Sequence, residues 1–211
     1  SNIQTQLDNA GGASALNDLS DALVESNSIY IGNDPSSTTN TAQYNVAVGV
    51  TALDAVTTGD DNIAVGYNAL SANTTGTRNV AVGIDALLSN TTGSYNSALG
   101  PSVLSANISG DDNTASGYGA LYSNTIGSSN VALGTNALNV NTTGAGNTSS
   151  GSRALLRNTT GSFNTASGYG AGDVITTGSN NTIIGYDADP SANNASNQIV
   201  IGKGATGLGN N

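Results

Sequence analysis

The chain has 211 residues, a net charge of −10 and four basic side chains, Arg78, Arg153, Arg157 and Lys203. Phosphate backbones and anionic lipid require clustered Lys and Arg, so nucleic acid and acidic membrane surfaces are not expected partners. Cys, His, Met and Trp are all absent; disulfides, Cys/His zinc sites, thiolate chemistry and the usual imidazole base go with them, and neither cofactor, metal nor enzymatic activity is expected.

The N-terminal stretch SNIQTQLDNAGG lacks the basic and apolar regions of a signal peptide. No apolar run approaches the ~20 residues of a membrane span. Within ALNDLSDALVE, residues 15–25, Leu16, Leu19 and Leu23 fall at helical spacing. The spacing predicts a short N-terminal α-helix, so that residues 1–27 form a helical cap or a coiled-coil stub.

From residue 28 onward a period of seventeen takes over. Steps of seventeen fall on Ser28, Asn45, Asn62 and so on to Asn181 and Gln198, and nine of the eleven marks are asparagine. Glycine lies four residues beyond every mark, from Gly32 to Gly202. In the coil NIAVGYNALSANTTGTR, residues 62–78, the repeated letters are Asn62, Ala64, Gly66, Ala69, Leu70 and Gly76. No insertion or deletion interrupts the period between residues 28 and 202. Helical repeats and propeller blades have longer periods and larger apolar residues. A strict short period rich in Gly and Asn predicts an all-β fold, a β-roll-like parallel β-solenoid over residues 28–211 with about ten coils. At ~4.8 Å per coil the rod is ~50 Å long.

Each coil position then has an expected role. Asn-x-Ala-x-Gly reads as a short strand with small residues inward and β-branched or hydroxyl residues outward. Stacked asparagines are expected to form amide ladders, and the glycine to end the strand with φ > 0. The following x-x-Ala-Leu fits either a second strand or one helical turn, with its Leu inward. Asn-Thr-Thr-Gly reads as a turn.

A longer repeat is also present: NTASGYGA occurs at 113–120 and again at 164–171, and Tyr67, Tyr118 and Tyr169 share the same fifty-one-residue spacing. Duplication of a three-coil block accounts for it.

Chemistry is sparse. Asp60-Asp61 and Asp111-Asp112 match neither the EF-hand loop nor the nonapeptide calcium repeat, and read as solvated turn residues. Asn73, Asn90, Asn141 and Asn158 begin glycosylation sequons, but they recur with the repeat and read as turn residues. The Thr-Thr column, for instance Thr74-Thr75, would make a hydroxyl ladder able to order water, as in ice-binding solenoids. The tyrosines Tyr67, Tyr118, Tyr169 and Tyr186 are the candidate surface-recognition residues, suited to stacking on a sugar or packing on a neighbouring coil or chain.

The repeats NxAxGxxAL…NTTG, with SIYIGNDPSSTTNTAQYN before them and NQIVIGKGATGLGNN after, resemble the shaft repeats of phage tail fibres and bacterial surface fibres. The Asn-x-Ala-x-Gly core is also similar to the β-roll head of trimeric autotransporter adhesins, whose period is shorter. The resemblance implies a homotrimer, and a C-terminal chaperone segment beyond GATGLG. It implies a structural and adhesive role that projects a region binding a host cell-surface glycan or protein. The expected location is extracellular, on a virion, or alternatively on a bacterial surface as an adhesin or filament subunit.

Overall fold

A computed structural model describes residues 22–25, 27–32 and 41–208. Twelve strands form one sheet in sequence order. They are β1 (Ala22–Glu25), β2 (Ser28–Ile31), β3 (Val46–Val48), β4 (Ile63–Val65), β5 (Val80–Val82) and β6 (Ser97–Leu99), followed by β7 (Thr114–Ser116), β8 (Val131–Leu133), β9 (Thr148–Ser150), β10 (Thr165–Ser167), β11 (Thr182–Ile184) and β12 (Ile199–Ile201). From β2 to β12 every pair is parallel, and partners lie seventeen residues apart, as in Ala64↔Ala81 and Ala81↔Ala98. The chain is therefore a parallel β-solenoid of about ten coils. No helix occurs among the described residues.

The expected helix over residues 15–25 is not found where it can be seen. Residues 15–21 lie outside the described residues, and Ala22–Glu25 is a strand paired antiparallel with β2. Asn27, at φ 63°, turns the chain between them. A parallel stack leaves the backbone groups of its first strand open; a reversed strand satisfies them, which a helix laid on the edge cannot do.

Alternation sorts each strand as expected. In β4 the outer Ile63 and Val65 are exposed and Ala64 is fully buried. Alanine fills this inner position in most coils because the interior is narrow. Gly66 adopts φ 135°, and a Cβ there would lie 2.6 Å from the Gly83 carbonyl of the next coil. The glycine column thus meets two demands at once, a left-handed corner and close stacking of coils.

Two buried amide ladders run along the rod. In the first, Asn62 Nδ2 donates to the Gly76 carbonyl at 2.9 Å, tying the start of a coil to its end. Its Oδ1 accepts from the Asn79 backbone N–H at 3.0 Å, tying that coil to the next. In the second, Asn90 Nδ2 donates to Asn73 Oδ1 at 2.9 Å, and the pattern continues to Asn158. It stops where Ile175 takes the asparagine position, and Asn158 Oδ1 is left buried without a partner. Asn73, Asn90, Asn141 and Asn158, the asparagines of the Asn-Thr-Thr sequons, all belong to this ladder and have no exposed surface, so the folded rod presents none of these four for glycosylation.

The Ala-Leu corner is neither a strand nor a helical turn. Leu53, Leu70, Leu87, Leu104, Leu121, Leu138 and Leu155 have φ between 51° and 54°. That left-handed conformation costs a branched residue roughly 1–2 kcal/mol. Full burial of the leucine, about 1.5–3 kcal/mol, offsets it. The Leu70 N–H also reaches the Ala86 carbonyl of the next coil at 3.0 Å. Where the column fails at Gly172, a Cβ would touch Leu155 and Ile183 at 3.0 Å. There Ile183 has replaced the inner alanine and Ile175 the asparagine, so larger neighbours fill the missing leucine's space.

Candidate functional site: the outer columns of the rod

Because the interior is spent on stacking, recognition has to come from outward side chains. The residue after a column glycine stands at a corner of the coil, and Tyr67, Tyr118, Tyr169 and Tyr186 are all exposed there. The six other candidate residues, Asn62, Ala64, Gly66, Ala69, Leu70 and Gly76, hold the coils together.

The four tyrosines do not form one site. Tyr67 stands between the aliphatic Val50 and Ile84 on its column. Tyr169 and Tyr186, one coil apart, stack with ring centroids 5.3 Å apart and planes within 15°. Cations close both ends of that pair: the Arg153 guanidinium lies 5.9 Å from the Tyr169 centroid and the Lys203 ammonium 5.8 Å from that of Tyr186. Arg153 also approaches Asp173 at 3.8 Å. For these two rings, packing on the neighbouring coil is what the structure displays.

Tyr118 is different. With Tyr122, Gly119, Ser102, Asn136 and Asn139 it lines a cleft of about 200 Å³ on the side of the rod. Sequence reasoning passed over Tyr122. The signal lay in the tenth coil position, where Ser71, Tyr122 and Asp173 follow the three equivalent tyrosines.

The acidic pairs serve the stack. Asp60 Oδ1 accepts the Gln43 N–H at 2.8 Å, and Asp111 Oδ1 accepts the Ser94 N–H at 2.7 Å. Serines do the same elsewhere on this column, as Ser94 Oγ does for the Thr77 N–H at 3.1 Å. Asp61 lies 3.5 Å from Arg78, with both side chains about half exposed. Among the described residues no group of three or more Asp, Glu, His or Cys is placed to hold a metal. Near the C-terminal end Asp189 occupies the leucine corner, and partial burial holds its carboxyl above the usual range, with Asp173 and Asp187 adding to the effect.

The threonine ladder is narrower than its sequence suggests. The first hydroxyl of each pair is consumed by the stack: Thr74 Oγ1 donates to the Thr91 carbonyl at 3.0 Å, and Thr142 Oγ1 to that of Thr159 at 3.0 Å. Only the second column faces solvent, with Ser109 and Ile126 breaking it. One interrupted row is a poor template for ordered water.

The broadest outer feature is the strand face. On β2 to β5 it is wholly aliphatic: Ile29, Ile31, Val46, Val48, Ile63, Val65, Val80 and Val82. All but the half-buried Val82 are exposed, at 36–41%. On β7, β9 and β10 the same positions carry Thr114, Ser116, Thr148, Ser150, Thr165 and Ser167.

No helix among the described residues is long and apolar enough to cross a membrane. Comparisons with protein-family models, with curated proteins and with solved structures found no match.

Proposed function

We propose that the chain is a structural, non-enzymatic segment of an adhesive fibre, a phage tail fibre or spike, and that it works as a homotrimer outside the cell. The observation that carries this reading is the aliphatic strand face of β2 to β5. A solvated monomer rarely keeps so regular an apolar surface. In a closed three-fold assembly each copy presents the same columns to the axis, so the in-register rows Ile29–Val46–Ile63–Val80 and Ile31–Val48–Val65–Val82 would meet their own equivalents. The likeness of the repeats to fibre shafts points the same way, and the exposed corners would then carry contacts to the host surface. The rod's length supplies reach.

Because the chain has no cysteine, disulfide trapping tests this directly. Val65→Cys should give covalent dimers within the trimer on mild oxidation, since equivalent positions face one another at the axis. Thr75→Cys, on the exposed turn column and off the strand face, should give far fewer. Equal trapping at both positions, or none at Val65→Cys, contradicts the assignment of the face.

A further inference from the structure

The cleft between Tyr118 and Tyr122 breaks the repeat at three places at once. Tyrosine occupies both the sixth and the tenth positions of the coil, with glycine at the seventh. Gly170 and Gly204 share the seventh position, but their coils carry Asp173 and Gly207 at the tenth, so no other coil has this combination. Tyr118 and Tyr122 are 58% and 46% exposed, so neither ring is committed to the core. Gly119 adopts φ 65°, and a Cβ on it would lie 2.6 Å from Asn136 Oδ1. The glycine therefore lets the Asn136 amide of the next coil come up against the floor of the cleft.

The polar groups there are partly spent. Asn139 Nδ2 donates to the Gly119 carbonyl at 2.8 Å and reaches Asn136 Oδ1 at 3.4 Å. Among the described residues Asn136 Nδ2 donates no hydrogen bond and Asn139 Oδ1 accepts none. One donor and one acceptor are thus held in place beside two exposed rings. No Asp, Glu, Lys or Arg lines the cleft, and the net charge of −10 repels anions in general. A volume of about 200 Å³ is below the ~300 Å³ at which drug-sized pockets begin.

From these features we infer that the Tyr118–Tyr122 cleft binds a single neutral pyranose unit of a glycan. The C–H face of such a ring is apolar and stacks on tyrosine, while its hydroxyl rim both donates and accepts hydrogen bonds. The fixed Asn139–Asn136 pair matches two neighbouring hydroxyls, and the absence of any cation selects against uronic and sialic acids. Tyr67 and Tyr169, equivalent by the fifty-one-residue spacing, have Ser71 and Asp173 where Tyr122 stands, so they lack the second wall. The inference deepens the fibre reading, on which its biological setting rests, by naming a ligand class.

The test is saturation-transfer NMR on the full chain with methyl glycosides of glucose, galactose, mannose and N-acetylglucosamine, with methyl glucuronide as the anionic control. At least one neutral glycoside should receive saturation, with shifts confined to the Tyr118 and Tyr122 ring signals. Tyr122→Ala should weaken binding at least tenfold, and Tyr186→Ala should leave it unchanged. All three tyrosines are exposed, so both variants should keep the parent unfolding temperature. No transfer to any neutral sugar overturns the inference, as does binding that survives Tyr122→Ala, preference for the glucuronide, or a cleft that takes peptide and not sugar. The titration needs neither host nor trimer. A trimer that binds no sugar removes the cleft alone, and a monomer that binds sugar removes the fibre reading alone.

Discussion

The strand face of β2 to β5 and that of β7 to β10 are built on the same backbone, yet they offer solvent different chemistry. The first is isoleucine and valine throughout; the second alternates coils of threonine and serine with β8, which carries Val131 and Leu133. Beneath both faces the interior changes less: alanine holds the inner strand position except at Tyr30 and Ser149, leucine holds the corner from Leu53 to Leu155, and asparagine forms two ladders, the second running from Asn73 to Asn158. What a coil needs in order to stack constrains only the inward letters, and the outward ones are free to diverge along the rod. A difference confined to the outer letters therefore concerns what the rod touches and has little to do with how it folds.

The largest effects should come from the uniform interior. Ala81 is fully buried between Ala64 and Ala98, and Ala81→Glu would place an unpaired charge there, a cost of several kcal/mol. Circular dichroism should show no cooperative unfolding for that variant. Val80→Glu, one residue away and pointing outward, should fold and fail only to associate. If the two behave alike, the separation of inside from outside is wrong.

Intermediate losses are expected in the second amide ladder, equally under both regions. Asn90→Ala removes the bond to Asn73 Oδ1 and strips the Asn107 amide of one of its two acceptors, leaving it only the Gly110 carbonyl. Asn141→Ala does the same to Asn124 and Asn158. Each should lower stability in urea by about 1–3 kcal/mol, the cost of buried groups left unpaired. A large difference between the two variants would show that the interior is not uniform.

The smallest effects separate the faces. Replacing Val48 and Val65 by threonine keeps shape and removes apolar surface, and should weaken association by about 1 kcal/mol per side chain. Ser150→Val and Thr165→Val should leave association unchanged. Dilution series read by cross-linking distinguish these outcomes.

The inner columns were legible in the sequence because a period of seventeen forces each inward residue to answer the same steric question ten times over. Ala64, Gly66 and Asn62 could be assigned without coordinates. The left-handed leucine was not legible: Leu70 reads as a helix or strand former, and its φ is imposed by a hydrogen bond to the next coil that no local pattern reveals. The strand Ala22–Glu25 was hidden for a related reason. Leu16, Leu19 and Leu23 have helical spacing, but pairing with the open edge of β2 decides the outcome for the last four residues. The Tyr118–Tyr122 cleft was half visible. Tyr118 stood out as an exposed aromatic, whereas Tyr122 gained meaning only when the coil brought its position beside Gly119 and Asn139.

Self-association through the aliphatic face is the claim on which the functional account depends, and sedimentation equilibrium of the wild-type chain tests it most directly. The account predicts a species of three times the 20.7 kDa chain mass, about 62 kDa. A single species at the 20.7 kDa of one chain across the micromolar range would contradict it.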